Sequence, residues 1–501
     1  MKVSGLRQVA SSHSNSILIS LYVLEFSALL TTMAIYKKGE RPILVFLAGS
    51  AGFVFIITVL ALATFTIVII YLFRKHGTRQ TQRFVPTLIL NLWTVILAIA
   101  TAEIFIRLFT VSTPTGPMFA NTILIPRSWE SVAARGRAIL GKASAEGSYL
   151  IYDKELGWTV GPSRRSKDYN REFVRQILSR LQSRLPQRVA DYEEELDRVK
   201  LDSGDDIYLS SVEGLRSPRV GMSFSGVSAR HRIAILGDSF TFGLEVRYEE
   251  TWGRQLELAL GQGYQVLNFG VDGYGVDQAY LRYERDVLSW KPDIVILGVI
   301  NDDLRRTMGV YGFLTFPGGE IPFPKPRFII KGQKLSLLNV PLPTPDSVFA
   351  KHSITELPFI EDDLSFQRIE WEWRFYHYVY SIRFLLSRYP RWPLPRPTVT
   401  DDALKSVNGE IFRSFVRLAR ERGSTPMVVV FPSDSDTTDS RDKLSIATEV
   451  LRASAVPYLD MTACVSKISP SERFVTLHYS PATNATIARC LRDSVRQLSR
   501  G

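Results

Sequence analysis

The sequence predicts an α/β fold built on a parallel sheet, carried behind an apolar, helical N-terminal region. Five short apolar runs after residue 230 are bounded by Gly, Pro, Asn or Asp and alternate with stretches of helical period. Three long apolar stretches occupy the first 110 residues. The chain has 501 residues and is 45% hydrophobic, enough for more than one domain and a large core.

Taken in order, Ile17 to Tyr36 is the weakest of the apolar stretches because Glu25 interrupts it. Pro42 to Phe73 carries no charge and exceeds the ~20 residues a membrane span needs. Val85 to Ile106 is the third, with Glu103 and Arg107 one helical turn apart near its end. The expectation is three membrane helices, at about 17–36, 42–73 and 85–106. Arg74, Lys75, Arg79 and Arg83 mark the link before the third as cytoplasmic. Everything after residue 110 then faces outward from the cytoplasmic (inner) membrane, although the Lys37–Arg41 loop runs against the charge rule.

The net charge of +11 does not signal nucleic acid. Ten Lys/Arg against three acidic residues in 1–110 place about +7 of it beside the apolar stretches. No basic block interleaved with exposed aromatics follows, so no nucleic-acid partner is expected. Cys464 and Cys490 lack a metal-binding spacing. They read either as two small buried hydrophobes or, outside the cytoplasm, as one disulfide.

Residues 111–230 read as a connector and cap, with a helical patch near 170–199. Residues 231–501 carry the α/β alternation: strand Ile233–Leu236, helix Thr251–Leu260, strand Gln265–Asn268, helix Gln278–Trp290 and strand Ile294–Leu297. Strands Met427–Phe431 and Pro457–Asp460 and an amphipathic helix Ala482–Leu498 complete it. A proline-rich insertion spans about 303–400. Its aromatic run from Phe366 to Tyr389 is expected to be helical and to pack as core, with a sugar platform or a membrane contact as the other readings.

Ile233–Leu236 runs into Gly237-Asp238-Ser239. That turn sets a hydroxyl at the carboxyl end of a strand, where open α/β sheets bind ligands. A serine there needs a base and oxyanion donors. Asn268–Gly275 and Gly298–Asp302 follow the next two strands and offer Gly273 and Asn301. Of the six histidines, His13 and His76 lie in the apolar region and His231 at the far end of its strand. His352 and His377 lie in the insertion, which leaves His478, in a loop before the last helix.

Gly237-Asp238-Ser239, Gly273, Asn301 and His478 occur in the order of the Ser, Gly, Asn and His blocks of the SGNH/GDSL hydrolase superfamily. The wording around them resembles a membrane-anchored bacterial subgroup of that superfamily, over roughly residues 150–500. The resemblance implies a three-layer α/β/α, flavodoxin-like domain. It implies Ser239 as nucleophile and His478 as base, with the Ser239 amide, the Gly273 amide and the Asn301 side chain as oxyanion hole. It implies no metal and no organic cofactor.

One departure stands out. The family places an Asp two or three residues before its histidine, where this chain has Thr476 and Val475. Two alternatives stay open: a Ser–His dyad whose ring is oriented by a backbone carbonyl, as in some related enzymes, or Asp460 approaching from a neighbouring strand end. The expected function is hydrolysis of an acyl ester by a membrane-anchored serine esterase, with an acylated glycan or lipid as candidate substrate. An O-acyltransferase of a cell-surface glycan and a catalytically inactive SGNH binding or assembly module are the alternatives.

Overall fold

A computed structural model describes residues 71, 75, 81–113, 116–146, 148–166, 208–316, 321–332, 334–388, 401–434 and 445–499. The chain divides into two compact units. One comprises Met1–Ser112, Pro117–Leu124 and Arg374–Tyr389, and the other Thr113–Gly116, Ile125–Trp373 and Pro390–Gly501. The expected boundaries differ in two ways. The end of the insertion groups with the N-terminal unit, and most of the expected connector belongs to the α/β unit.

In the first unit, Thr81–Phe109 is a 29-residue helix that contains the expected third apolar segment. The other two segments lie almost wholly outside the described residues, as does the patch near 170–199. Among the described residues no helix is long and apolar enough to cross a membrane. Glu103 accepts hydrogen bonds from Arg107 Nε (2.6 Å), Tyr380 N (2.8 Å), Ser381 N (2.7 Å) and Ser381 Oγ (3.0 Å). It is thus more than half of an ion pair. It also caps the orphan amides at the start of helix Tyr380–Arg388.

In the second unit a five-stranded parallel sheet is formed by β1 (His231–Leu236), β2 (Tyr264–Asn268), β3 (Ile294–Val299), β4 (Thr425–Val430) and β5 (Tyr458–Asp460). They lie in the order β2-β1-β3-β4-β5. This is the doubly wound order in which the chain reverses direction across the sheet between β1 and β3. Successive residues point to opposite faces, and the central strand β3, covered on both, is apolar and buried throughout.

The helices labelled here are α1 (Ser239–Phe242), α2 (Trp252–Leu260), α3 (Val276–Arg282), α4 (Asn301–Arg306), α5 (Asp401–Glu421), α6 (Ile446–Ala453) and α7 (Pro481–Leu498). Ile233, Ile235, Ile296 and Val429 pack against Trp252 and Leu256 of α2 and Ile487 and Leu491 of α7. Ala234, Leu236, Leu297 and Val428 pack against Ala279 of α3, Phe412 and Phe415 of α5 and Val450 of α6. The result is three layers.

The expected helix Gln278–Trp290 begins as α3 and then loosens into a π turn, Tyr283–Val287, and a 3-10 turn, Leu288–Trp290. Only Tyr380–Arg388 of the aromatic run is α-helical. Trp371, Trp373 and Phe375 recur every second residue, a period that scatters side chains around a helix instead of aligning them. Trp373 and Phe375 are exposed, so the run as a whole is not core. Of the connector, Trp158 and Tyr208 are fully buried in a cluster with Phe242, Leu244, Val271 and Tyr274. The expected cap is therefore part of the scaffold beneath the candidate site.

Candidate active site

Ser239 stands at the first position of α1, directly beyond the end of β1. The sharp turn there requires Gly237, whose φ is +149°. A Cβ at that position would lie 2.4 Å from Thr241 Oγ1 and 2.5 Å from the Gly298 carbonyl. Asp238 caps the helix by accepting from Phe240 N at 2.9 Å.

The histidine arrives from the other end of the chain. His478 Nε2 lies 2.9 Å from Ser239 Oγ, and both side chains are buried. The ring also packs on Phe240, with centroids 5.0 Å apart. Its other nitrogen, Nδ1, is 3.2 Å from Glu245 Oε1, in contact but short of good hydrogen-bond alignment. Catalytic contacts of this kind are often long until substrate binds. Asp460 does not take this place: its Oδ1 accepts from Thr462 N at 2.8 Å.

Glu245 also organises the loop that carries the histidine. Its Oε2 accepts from Thr476 N (2.9 Å), Leu477 N (3.2 Å) and His478 N (3.2 Å), while Thr476 Oγ1 donates to Oε1. Thr476, which stands where the resemblance led one to look for an Asp, thus binds the carboxylate instead of supplying it. Burial alone would push the Glu245 carboxyl up. His478 and Thr476 outweigh it, and the group sits below the usual range. Burial likewise works against a charged His478, and Glu245 outweighs it, raising the imidazole above the ordinary 6.5. The two shifts share one cause, the mutual attraction of carboxylate and imidazolium.

Spacing from the histidine could not reveal Glu245. The available signal was a single carboxylate within the apolar stretch Phe240–Val246, just past the candidate nucleophile. Its φ of +68° is unusual for a residue with a side chain, and the surroundings must hold it there. Glu245 N donates to Tyr208 Oη at 2.9 Å, and Arg216 Nη2 donates to the neighbouring Val246 carbonyl at 2.8 Å. The Arg216 guanidinium lies 4.6 Å from the Tyr208 ring and 4.8 Å from that of Phe242. Tyr208→Phe leaves a part-buried amide without its acceptor. The expected result is a loss of about 1–3 kcal/mol in urea unfolding, with secondary structure unchanged.

Gly273 sits in the loop beyond β2 with φ +76°, and a Cβ there would meet Ile321 Cδ1 at 2.6 Å. Val271 N donates to the Gly237 carbonyl at 3.1 Å, tying this loop to the Ser239 turn. Among the described residues, the amides of Ser239 and Gly273 donate to no protein acceptor. Asn301 opens α4 at the end of β3, and its Oδ1 accepts from Ala447 N at 3.1 Å. That bond fixes the side-chain amide; it does not join Asn301 to Ser239.

Arg306 binds these loops together. Its Nη1 donates to Asp238 Oδ2 (3.0 Å), Asp303 Oδ1 (2.7 Å) and the Tyr274 carbonyl (3.2 Å). Burial and the adjacent Asp238 push the Asp303 carboxyl well above its usual range, against the pull of Arg306. Among the described residues, no cluster of His, Cys, Asp and Glu is arranged to hold a metal ion.

Cys464 and Cys490 form a disulfide with a sequence separation of 26, so the His478 loop and the first half of α7 lie within a covalent ring. Closing a loop of this length restricts the unfolded chain. Replacing both cysteines by Ser is expected to lower unfolding stability by about 2–4 kcal/mol, read from denaturant melts.

No family model matches the chain. An acetylxylan esterase of Xylanibacter ruminicola is 34% identical over 89 residues, which cover 16% of this chain and 18% of that protein. The match thus spans less than a fifth of the curated relative. Among solved structures, the acetylxylan esterase Axe2 of Geobacillus stearothermophilus is 14% identical, with a TM-score of 0.29. The overlap takes in 53% of this chain and 95% of that one. A protein assigned to the G-D-S-L lipolytic family from Desulfitobacterium hafniense is 13% identical, with a TM-score of 0.25, covering 53% of this chain and 98% of that one. The fold assignment rests on the strand order and the two buried faces of the sheet, not on these overlaps.

Proposed function

We propose that the chain is a serine esterase of the SGNH/GDSL type, held at a membrane by its N-terminal region with the α/β unit on the extracytoplasmic side. The observation that carries the chemistry is the continuous Ser239–His478–Glu245 contact. Ser239 Oγ attacks the acyl carbonyl carbon while His478 Nε2 takes its proton. Glu245 stabilises the imidazolium that forms, and the Ser239 and Gly273 amides receive the developing oxyanion. His478 then protonates the leaving alcohol. A water, deprotonated by the same ring, releases the acyl group. Asn301 is the third candidate donor in this scheme, its amide oriented by Ala447 N.

The short match to an acetylxylan esterase favours an acetyl ester on a carbohydrate as the first substrate to try. A carboxylate beside His478 weighs against the inactive-module reading, which drew its strength from the missing Asp. Transfer to a glycan hydroxyl would pass through the same acyl-enzyme. Incubation with acetylated xylan, with and without an unacetylated glycan acceptor, separates the two: the esterase releases acetate in both, and no acylated acceptor forms. Membrane anchoring is supported by the uncharged stretch Pro42 to Phe73 and by the basic link before Val85. The disulfide supports the extracytoplasmic side, since such bonds persist in oxidising compartments. A reporter fused after Gly501 should be active only outside the cytoplasm; a cytoplasmic signal overturns this orientation.

A further inference from the structure

We propose that residues 375–388, together with Phe105 and Phe109, form a surface that rests on the interfacial layer of a lipid bilayer. This rests on the membrane-anchored reading above. Phe375 is 83% exposed, Tyr378 67% and Leu385 50%, while Phe105 and Phe109 are each 45% exposed. Large apolar side chains gathered this way on one small unit mark a contact surface.

Where the surface lies along the helix identifies the partner. The segment is bound to the last turns of helix Thr81–Phe109. Glu103 takes three hydrogen bonds from Tyr380 and Ser381, Arg107 donates to the Tyr378 carbonyl, and the Arg107 guanidinium lies 4.5 Å from the Tyr380 ring. The same Glu103 and Arg107 end the apolar stretch that begins at Val85. Charged residues at the end of such a stretch mark the level at which hydrocarbon gives way to headgroups. If the stretch from Val85 lies in the membrane as the anchored reading has it, Tyr and Phe stand beside its charged end, and such rings collect at membrane interfaces.

Charge points the same way. Residues 374–388 contain no acidic residue, and Arg374 and Arg388 are exposed at the two ends of the segment. A cationic, aromatic-rich surface without carboxylates complements anionic headgroups. Two attachments, a helix and a surface patch, would restrict how this small unit tilts at the membrane.

The test uses the full chain, whose own cysteines are paired, so one added cysteine can be labelled selectively. Phe375→Cys, Tyr378→Cys and, as a reference in the α/β unit, Val227→Cys each carry a nitroxide. The proteins are reconstituted into phosphatidylcholine/phosphatidylglycerol vesicles and checked for ester hydrolysis. Collision with oxygen, which concentrates in the bilayer, should exceed collision with a water-soluble nickel chelate several-fold more at 375 and 378 than at 227. Labels at 375 and 378 that match the reference in vesicles that still carry the protein overturn the surface contact and leave the anchor standing. Labels shielded from both reagents show a protein cover and also overturn it. A chain that does not float with vesicles overturns the anchor and this surface together.

Discussion

Ser239→Ala is expected to abolish labelling by a fluorophosphonate and to lower kcat for ester hydrolysis by about 10⁵- to 10⁶-fold. The size follows from the geometry. The Ser239 hydroxyl lies 2.9 Å from the imidazole, and an alanine leaves the base without the group it would activate. The substitution removes one oxygen from the N-terminal turn of α1, whose cap is the Asp238 carboxylate, so the fold should persist. Persistent labelling and turnover in a folded Ser239→Ala protein would place the chemistry elsewhere and end the acyl-enzyme account.

Glu245→Gln is expected to lower kcat by about 10²- to 10⁴-fold, in keeping with the loss of an orienting carboxylate in other triads. The pH profile supplies the sharper test. His478 acts as a base only when neutral, and Glu245 raises its proton affinity above the ordinary value. In the native chain activity should therefore fall as pH drops through a pKa above 6.5, the ordinary histidine value. With Gln at 245 the raising charge is gone while burial still disfavours the imidazolium. The acid limb of kcat/KM must then move to lower pH even as the plateau falls. An acid limb that stays in place would show that Glu245 only braces the 476–478 backbone.

Glu245 also explains how a Ser–His site can exist here without an acid beside the histidine. The carboxylate is delivered from the nucleophile's side of the cleft, across a contact between residues 231 apart in sequence. The supports at Tyr208 and Arg216 come from a third region, which the sequence alone presents as a connector. An unusual backbone conformation at Glu245 is held by hydrogen bonds to its own amide and to the next carbonyl. The loop carrying His478 is meanwhile closed by the Cys464–Cys490 bridge.

By itself the sequence determined the five strands, the turn that lifts Ser239 out of β1, and the histidine in the last loop. Those features are written locally: apolar runs buried on both faces, a glycine where a side chain would collide, a residue placed just ahead of an amphipathic helix. Only the tertiary structure decided which carboxylate meets His478 and that the two cysteines pair. It also decided that Asn301 is held by Ala447 and that the aromatic run from Phe366 is only partly buried, with Trp373, Phe375 and Tyr378 exposed. Each of those depends on which segments the fold brings side by side, and contacts across 26, 146 or 231 residues follow no periodicity in the chain that could be read.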